Sequence, residues 1–469
     1  MNEPCDLSAV EARRLIGRKE LSPVELLESC LVRIENTNPT VNALVTLDVA
    51  NARCQAKAVE AKVLSGEELG LLAGLPIAVK DTQATAGLRT TYGSLLYRDH
   101  VPAEDEGSVA NIRRAGGIIL AKTNTPEFGA GGNTTNRLFG PTGNPYDTTK
   151  TSGGSSGGSA AALALRQVPL ATGSDYGGSL RTPAAFCGVV GFRPSPGLVP
   201  SGNGTPALLP FKVIGPIART IEDAHLLLKA QMGRHRYGPF SESNKGQVPE
   251  LLIDVDLSRI RIAISSDLDC AEVDDGIEAI FRERIRQFGH LFREVQERDP
   301  DMTGVHETFE SLRGLCYVAA HGHRLEKHRE LLGANVIDNV QRGLRLQVTD
   351  IAQAHVLQTS IAKKFAEFFQ DADVLICPAA SVSPFPHGQL FVEKINAKNM
   401  PTYMRWLGIA YAPTMALACA AVLPCGRDHN GMPFGIQVIA PTGADATVLE
   451  VSHAIEQVLR CTPANPIRS

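Results

Sequence analysis

From Leu69 onward, short apolar runs of strand length alternate with stretches of helical periodicity, and few folds accept such an alternation. Residues 75–79, 118–121, 168–172, 260–264, 374–377 and 436–439 read as buried strands, several rich in β-branched side chains. Helical patterns cover 108–115, 158–166, 220–230 and 271–288 between them. A helix that crosses back over a sheet returns the chain to a parallel neighbour. The pattern therefore predicts an α/β domain with a central mixed, mostly parallel β-sheet covered by helices.

Residues 1–68 read differently. Ser22-Pro23-Val24-Glu25 supplies a serine cap, a proline at the first helical position and a glutamate able to close a capping box. A stripe of Leu26, Leu27, Cys30, Leu31 and Ile34 follows, and Asn36-Thr37-Asn38-Pro39 ends it. A second helix is expected over 49–64, which makes 1–68 a helical segment packing on the core. Residues 302–370 are helical with scarcely a strand and read as an insertion. Although 469 residues would accommodate two domains, no repeat or low-complexity linker divides the chain. A single domain over 69–460 is the reading.

The partners that this surface excludes follow from charge. Lys plus Arg number 46 and Asp plus Glu 50, without a pronounced run of either sign, so neither nucleic acid nor an anionic membrane is expected as partner. No apolar stretch approaches the roughly 18 residues of a membrane span. The start, MNEPCDLSAVEARR, lacks the pattern of a signal peptide. The 10 cysteines lie far apart without C-x-x-C, which predicts buried thiols in a reducing cytoplasm.

The densest chemical signal is the stretch 151–194, where two glycine-serine clusters flank a helix and a strand. Glycine at this density lets a backbone approach a ligand and turns peptide N–H groups toward one point, a nest suited to an oxyanion or a phosphate. Two readings compete. Gly153-Gly154-Ser155-Ser156-Gly157 fits the G-x-S-x-G elbow of α/β-hydrolases, but turn material precedes it and no downstream histidine has the local context of a triad. Gly173-Ser174-Asp175-Tyr176-Gly177-Gly178-Ser179-Leu180-Arg181 follows a better strand. There Ser179 would emerge beside the N–H groups of Tyr176, Gly177 and Gly178, as a nucleophile beside its oxyanion hole. Taken alone, a glycine-rich turn with serine as turn former explains the second cluster equally well. A phosphate loop fits less well, because no G-x-x-x-x-G-K-[ST] is present.

Lys80 closes the apolar run 72–79, where its stem would lie in the core. A desolvated lysine loses affinity for its proton and becomes a base near neutrality, although snorkelling to the surface or pairing with Asp81 is the commoner fate.

Together these features resemble the amidase signature family. Its lysine motif, its G-G-S-S-G-G loop and its G-[ST]-D-x-G-G-S-[IL]-R-x-P segment occur here in order, with 75 residues from Lys80 to Ser155 and 24 from Ser155 to Ser179. Similarity extends to 121–128, 139–145 and 432–437, and spans about 69–459 with 234–373 weakly alike. The resemblance implies an α/β/α sandwich and a Ser-cisSer-Lys triad: Ser179 as nucleophile, Ser155 as bridging serine and Lys80 as base. It further implies oxyanion N–H groups from Tyr176, Gly177, Gly178 and Ser179, with Ser156, Asp175 and Arg181 as supports. No metal and no cofactor is implied. Tyr176 stands where a small or aliphatic residue is more usual, so its ring is expected to narrow or line the acyl pocket. Ser174 replaces a frequent threonine.

Other candidates read as structure. His321, His323 and His328 lack H-E-x-x-H spacing and fit a polar helix face. Cys419 and Cys425 fit core packing, and Tyr403, Met404 and Trp406 fit an amphipathic helix, with the lining of a pocket mouth as the alternative. The expected activity is hydrolysis of an uncharged small-molecule carboxylic amide through an acyl-enzyme, and a homodimer is compatible with it. The alternatives are the glutamine-hydrolysing component of an amidotransferase, against which 125–133 looks more like free-standing amidases, and a carbamate or ester hydrolase. A non-catalytic binding module would not need Lys80, Ser155 and Ser179 all intact. The substrate pocket is expected from the helical insertion and the segment 403–411.

Overall fold

The computed structural model describes residues 3–201, 210–236, 240–241 and 248–459. Helices α1 (Ala9–Gly17) and α2 (Pro23–Val41) open the chain, and strand β1 (Leu44–Leu47) and helix α3 (Val49–Ser65) follow. The capping box at Ser22 forms: its side chain accepts from the Val24 N–H at 2.9 Å, and Glu25 accepts from the Ser22 N–H at 3.0 Å. Leu26, Leu27, Cys30 and Ile34 are buried, and each large apolar side chain contributes about 1.5–3 kcal/mol. Two local expectations fail here. Helix α2 runs through Pro39 to Val41, because Asn42 ends it in the left-handed region while the Asn38 side chain takes the N–H groups of Ala43 and Leu44. Residues 1–68 are also not wholly helical, since β1 forms a sheet edge against a later strand.

The body of the chain continues β2 (Pro76–Lys80), α4 (Gly107–Arg114), β3 (Ile118–Thr123), α5 (Gly157–Ala164), β4 (Leu170–Asp175), α6 (Arg181–Cys187), β5 (Val190–Arg193), β6 (Val213–Ala218) and α7 (Ile221–Gln231). It proceeds through β7 (Arg261–Ile264), α8 (Asp275–Phe288), β8 (Glu294–Glu297) and the helices α9 (Val305–His328), α10 (Ala334–Leu344) and α11 (Val348–Phe368). Strand β9 (Val374–Pro378), α12 (Gly408–Met415), β10 (Cys419–Arg427), β11 (Pro433–Ala440) and α13 (Asp445–Leu459) complete it.

These strands form an 11-stranded sheet in the order β1-β3-β2-β4-β6-β5-β10-β11-β9-β7-β8, and three short two-stranded ribbons among the described residues lie outside it. It is mixed and helix-covered, as the alternation predicts, but it is not mostly parallel. Among the described residues the pairs β1–β3, β4–β6, β6–β5, β5–β10, β10–β11 and β11–β9 are antiparallel, while β3–β2, β2–β4, β9–β7 and β7–β8 are parallel. The reason is connectivity. Helical crossovers such as α4 and α8 return parallel neighbours, whereas β10 and β11 join through a tight turn in which the Asp428 N–H donates to the Met432 carbonyl. A hydrophobic core runs from Cys5 to Ile455. The helices α9 to α11 lie where a helical insertion is expected, and Tyr317, Leu332, Val336 and Val340 build a small satellite core with Ala130.

Candidate active site

Strands β2 and β4 are parallel neighbours, so their carboxyl ends meet at one edge of the sheet. Lys80 ends β2 and Ser174-Asp175 ends β4. Every residue of β2 is buried, and the Lys80 side chain is 0% exposed. Its Nζ lies 2.7 Å from Ser155 Oγ, 2.8 Å from Ser156 Oγ and 3.1 Å from Ser174 Oγ. Among the described residues no carboxylate lies within hydrogen-bond distance of it. Asp81 instead accepts from the Thr91 backbone and hydroxyl. Burial, reinforced by the charge of Lys212, holds the Lys80 ammonium well below its ordinary pKa against the opposing pull of Asp175. A neutral amine has two N–H donors and one lone pair, which suits three hydroxyl neighbours of which one donates back.

Ser155 and Ser156 immediately precede α5, and the Gly154–Ser155 peptide bond is cis, as the resemblance implies. The second cluster turns from β4 into α6 and carries Ser179 in its last bend before the helix. Gly178 has φ +106°, and a Cβ there would stand 2.5 Å from Ala410 Cβ, so the bend admits only glycine.

Asp175 braces this loop. Its carboxylate accepts from the N–H groups of Gly178 (2.9 Å) and Leu180 (3.1 Å) and from the guanidinium groups of Arg181 (3.0 Å) and Arg193 (3.2 Å). Burial alone would raise its pKa, but the two arginines outweigh burial and hold it far below the ordinary carboxylate range. Arg181 and Asp175 therefore meet as the motif implies. Arg193, on β5, was not singled out by the sequence, and neither was the third hydroxyl on Lys80, that of Ser174.

One expected donor is otherwise engaged. The Gly178 N–H is spent on Asp175, which leaves the amides of Tyr176, Gly177 and Ser179 as those that donate to no described residue. Ser179 and Ser155 line one cavity of about 200 Å³, and no hydrogen bond joins their hydroxyls. The cavity is completed from α9 and from Met404 and Leu407, where the pocket was expected. Tyr176 lines it, its ring 5.8 Å from that of Phe309.

A second buried lysine, Lys122 on β3, is pushed down to about 8 by burial. Its Nζ donates to the Gln83 carbonyl and to Thr85 Oγ1 at 2.7 Å and touches no serine of the site, so it cannot serve as their base. His323 and His328 are exposed on α9, but His321 is buried against Phe128 with ring centroids 4.4 Å apart. Burial and then Arg324 push His321 down to about 3, which keeps it neutral. Among the described residues no group of His, Cys, Asp or Glu is arranged to hold a metal ion, and no helix is long and apolar enough to cross a membrane. Cys419 and Cys425 are buried on β10, and Trp406 is buried against Phe385 rather than in the cavity. Tyr403 is buried, and Cys461 lies outside the described residues.

The profile of the amidase family matches residues 25–449. Acylamidase of Rhodococcus erythropolis is 32% identical, covering 96% of this chain and 95% of its own length. The A-type component of glutamyl-tRNA(Gln) amidotransferase from Acaryochloris marina is 31% identical, covering 96% and 97%. Among solved structures, that of a bacterial aryl acylamidase of the amidase signature family superimposes with a TM-score of 0.88 at 28% identity, covering 96% of each chain.

Proposed function

The chain belongs to the amidase signature family of amide hydrolases, and from that premise we propose that it is a free-standing amidase working through an acyl-enzyme on Ser179. The observation that carries this reading is the buried Lys80 amine 2.7 Å from the Oγ of Ser155, a residue that lines one cavity with Ser179. As Ser179 Oγ attacks the amide carbonyl carbon, its proton passes to Ser155, whose own proton passes to Lys80. The carbonyl oxygen takes the negative charge and is met by the free N–H groups of Tyr176, Gly177 and Ser179. Lys80 then returns the proton through Ser155 to the departing amine nitrogen as the C–N bond breaks. Water repeats the sequence on the ester, releasing the acid and restoring Ser179.

Relatives of similar identity include both an acylamidase and a component of an amidotransferase, so identity does not separate the two roles. The cavity favours the first. Its described lining contains no Asp or Glu to receive the ammonium of free glutamine. An ester or carbamate would be served by the same steps with a different leaving group.

A fluorophosphonate should label wild-type enzyme at Ser179, and Ser179→Ala should lose both labelling and turnover while keeping its fold by circular dichroism. Peptide mapping that puts the label on Ser155 would overturn the assignment in favour of the elbow reading.

A further inference from the structure

Arg313, on α9, is a buried cation of an unusual kind in this protein. It is 5% exposed, and its polar partners are neutral: Nε donates to Asn339 Oδ1 at 3.0 Å, and Nη2 donates to the hydroxyls of Tyr317 at 3.1 Å and Tyr403 at 3.0 Å. Nη1 donates to no described residue, and no carboxylate among the described residues pairs with the guanidinium. The contrast with the loop is direct, since Arg181 and Arg193, equally buried, share Asp175. A buried charge without a counter-charge is costly and persists only where something else uses it.

Its position shows where the missing counter-charge would lie. Arg313 lines the cavity that holds Ser155 and Ser179. Its guanidinium stands 5.5 Å from the Tyr176 ring centroid and 4.7 Å from that of Tyr317, within cation–π range of both rings. Lys212 lines the same cavity and makes no hydrogen bond or ion pair with a described residue. The described lining thus carries two cations and no acid. A second, more open cavity shares Thr82, Phe128, Lys212, Ala320 and His321 with the first but includes neither Ser179 nor Arg313. The amine can leave through that outer space, which puts Arg313 on the side of the acyl group.

We propose that the acyl group hydrolysed at Ser179 carries its own carboxylate, received by Nη1 of Arg313, with Lys212 adding to the field. This deepens the amidase reading and rests on it. It also departs from the uncharged amide expected from sequence. A monoanion suits this site, because Nη1 is the guanidinium nitrogen that donates to no described residue, and a carboxylate oxygen accepts a charge-assisted hydrogen bond from it. An α-amino acid amide suits it less, because its ammonium would face the same two cations.

The test compares three anilides on wild-type enzyme: glutaric acid mono-4-nitroanilide, the isosteric uncharged pentanoyl 4-nitroanilide, and N-pentanoyl-4-aminobenzoate, which moves the carboxylate to the amine side. The first should have a kcat/KM at least about tenfold above the other two, and added salt should narrow the gap. Arg313→Gln should erase the preference, mainly through KM, while hydrolysis of the uncharged anilide persists. Glutarate binding by calorimetry reads the same site without turnover and should be lost in the variant. If Arg313→Gln does not fold, the wild-type comparison and glutarate binding by the wild-type enzyme decide the matter. An uncharged anilide hydrolysed as well as the glutaryl one, by enzyme that still labels at Ser179, would overturn the carboxylate assignment alone. Absent labelling would instead overturn the nucleophile, and glutarate binding would still judge Arg313 independently.

Discussion

Asp175 accepts hydrogen bonds from two loop amides and two buried guanidinium groups, and neutralising it would leave both arginines without a counter-charge. Asp175→Asn should therefore destabilise the protein by about 3–5 kcal/mol, the usual cost of breaking a buried pair, and the denaturant midpoint should report it. Its pKa is depressed in the folded state, so its contribution is complete above the unfolded value of about 3.9 and is lost as pH falls through the lower folded value. The wild-type midpoint should therefore fall through this group only below about pH 4, and that acid dependence should be weaker in the variant. Lys80, Ser155, Ser179, Asp175 and Arg181 were legible because each sits inside a short motif. Arg193 and Arg313 were not, because an isolated arginine in a strand or helix gives no local sign of which carboxylate or cavity the fold brings to it.

The loop between β4 and α6 acts as a unit, with Gly178 at its tightest point. Gly178→Ala must move either the bend or α12, since the added Cβ would lie 2.5 Å from Ala410 Cβ and φ is positive. Either shift misaligns the free amides of Tyr176, Gly177 and Ser179. Displaced oxyanion donors cost about 10²–10³-fold, so kcat for an anilide should fall by at least about 10²-fold while far-ultraviolet circular dichroism stays unchanged. Fluorophosphonate labelling at the wild-type rate would contradict this account of the loop. At this scale the strands with continuous apolar runs, such as β2, β3 and β9, were legible. Strands β5 and β10 were hidden, because Gly191 interrupts one and the other is built largely of small residues that favour no period. The proline at position 39 pointed to a helix end that side-chain caps on the following residues displaced.

Across the whole molecule, the sheet brings together the carboxyl ends of two parallel strands that lie far apart in sequence, while α9 and the segment before α12 close the cavity over them. The α/β class was legible from the alternation of patterns, but strand direction was not, because it depends on which connections are crossovers and which are hairpins. This arrangement buries Lys80 beside three hydroxyls, and in the proposed mechanism burial is what would let it act as the base. The protonated form cannot accept the proton of Ser179, so activity should rise with pH along a single ionisation lying below that of an ordinary lysine. The measurement that bears most directly on this claim is the pH dependence of kcat/KM for a 4-nitroanilide in wild type and Lys80→Arg. Arginine keeps the charge and cannot deprotonate, so the account predicts a rising acid limb in wild type and a loss of about 10²–10⁴-fold in folded Lys80→Arg at every pH. Near-normal turnover by Lys80→Arg with the acid limb unchanged would contradict it.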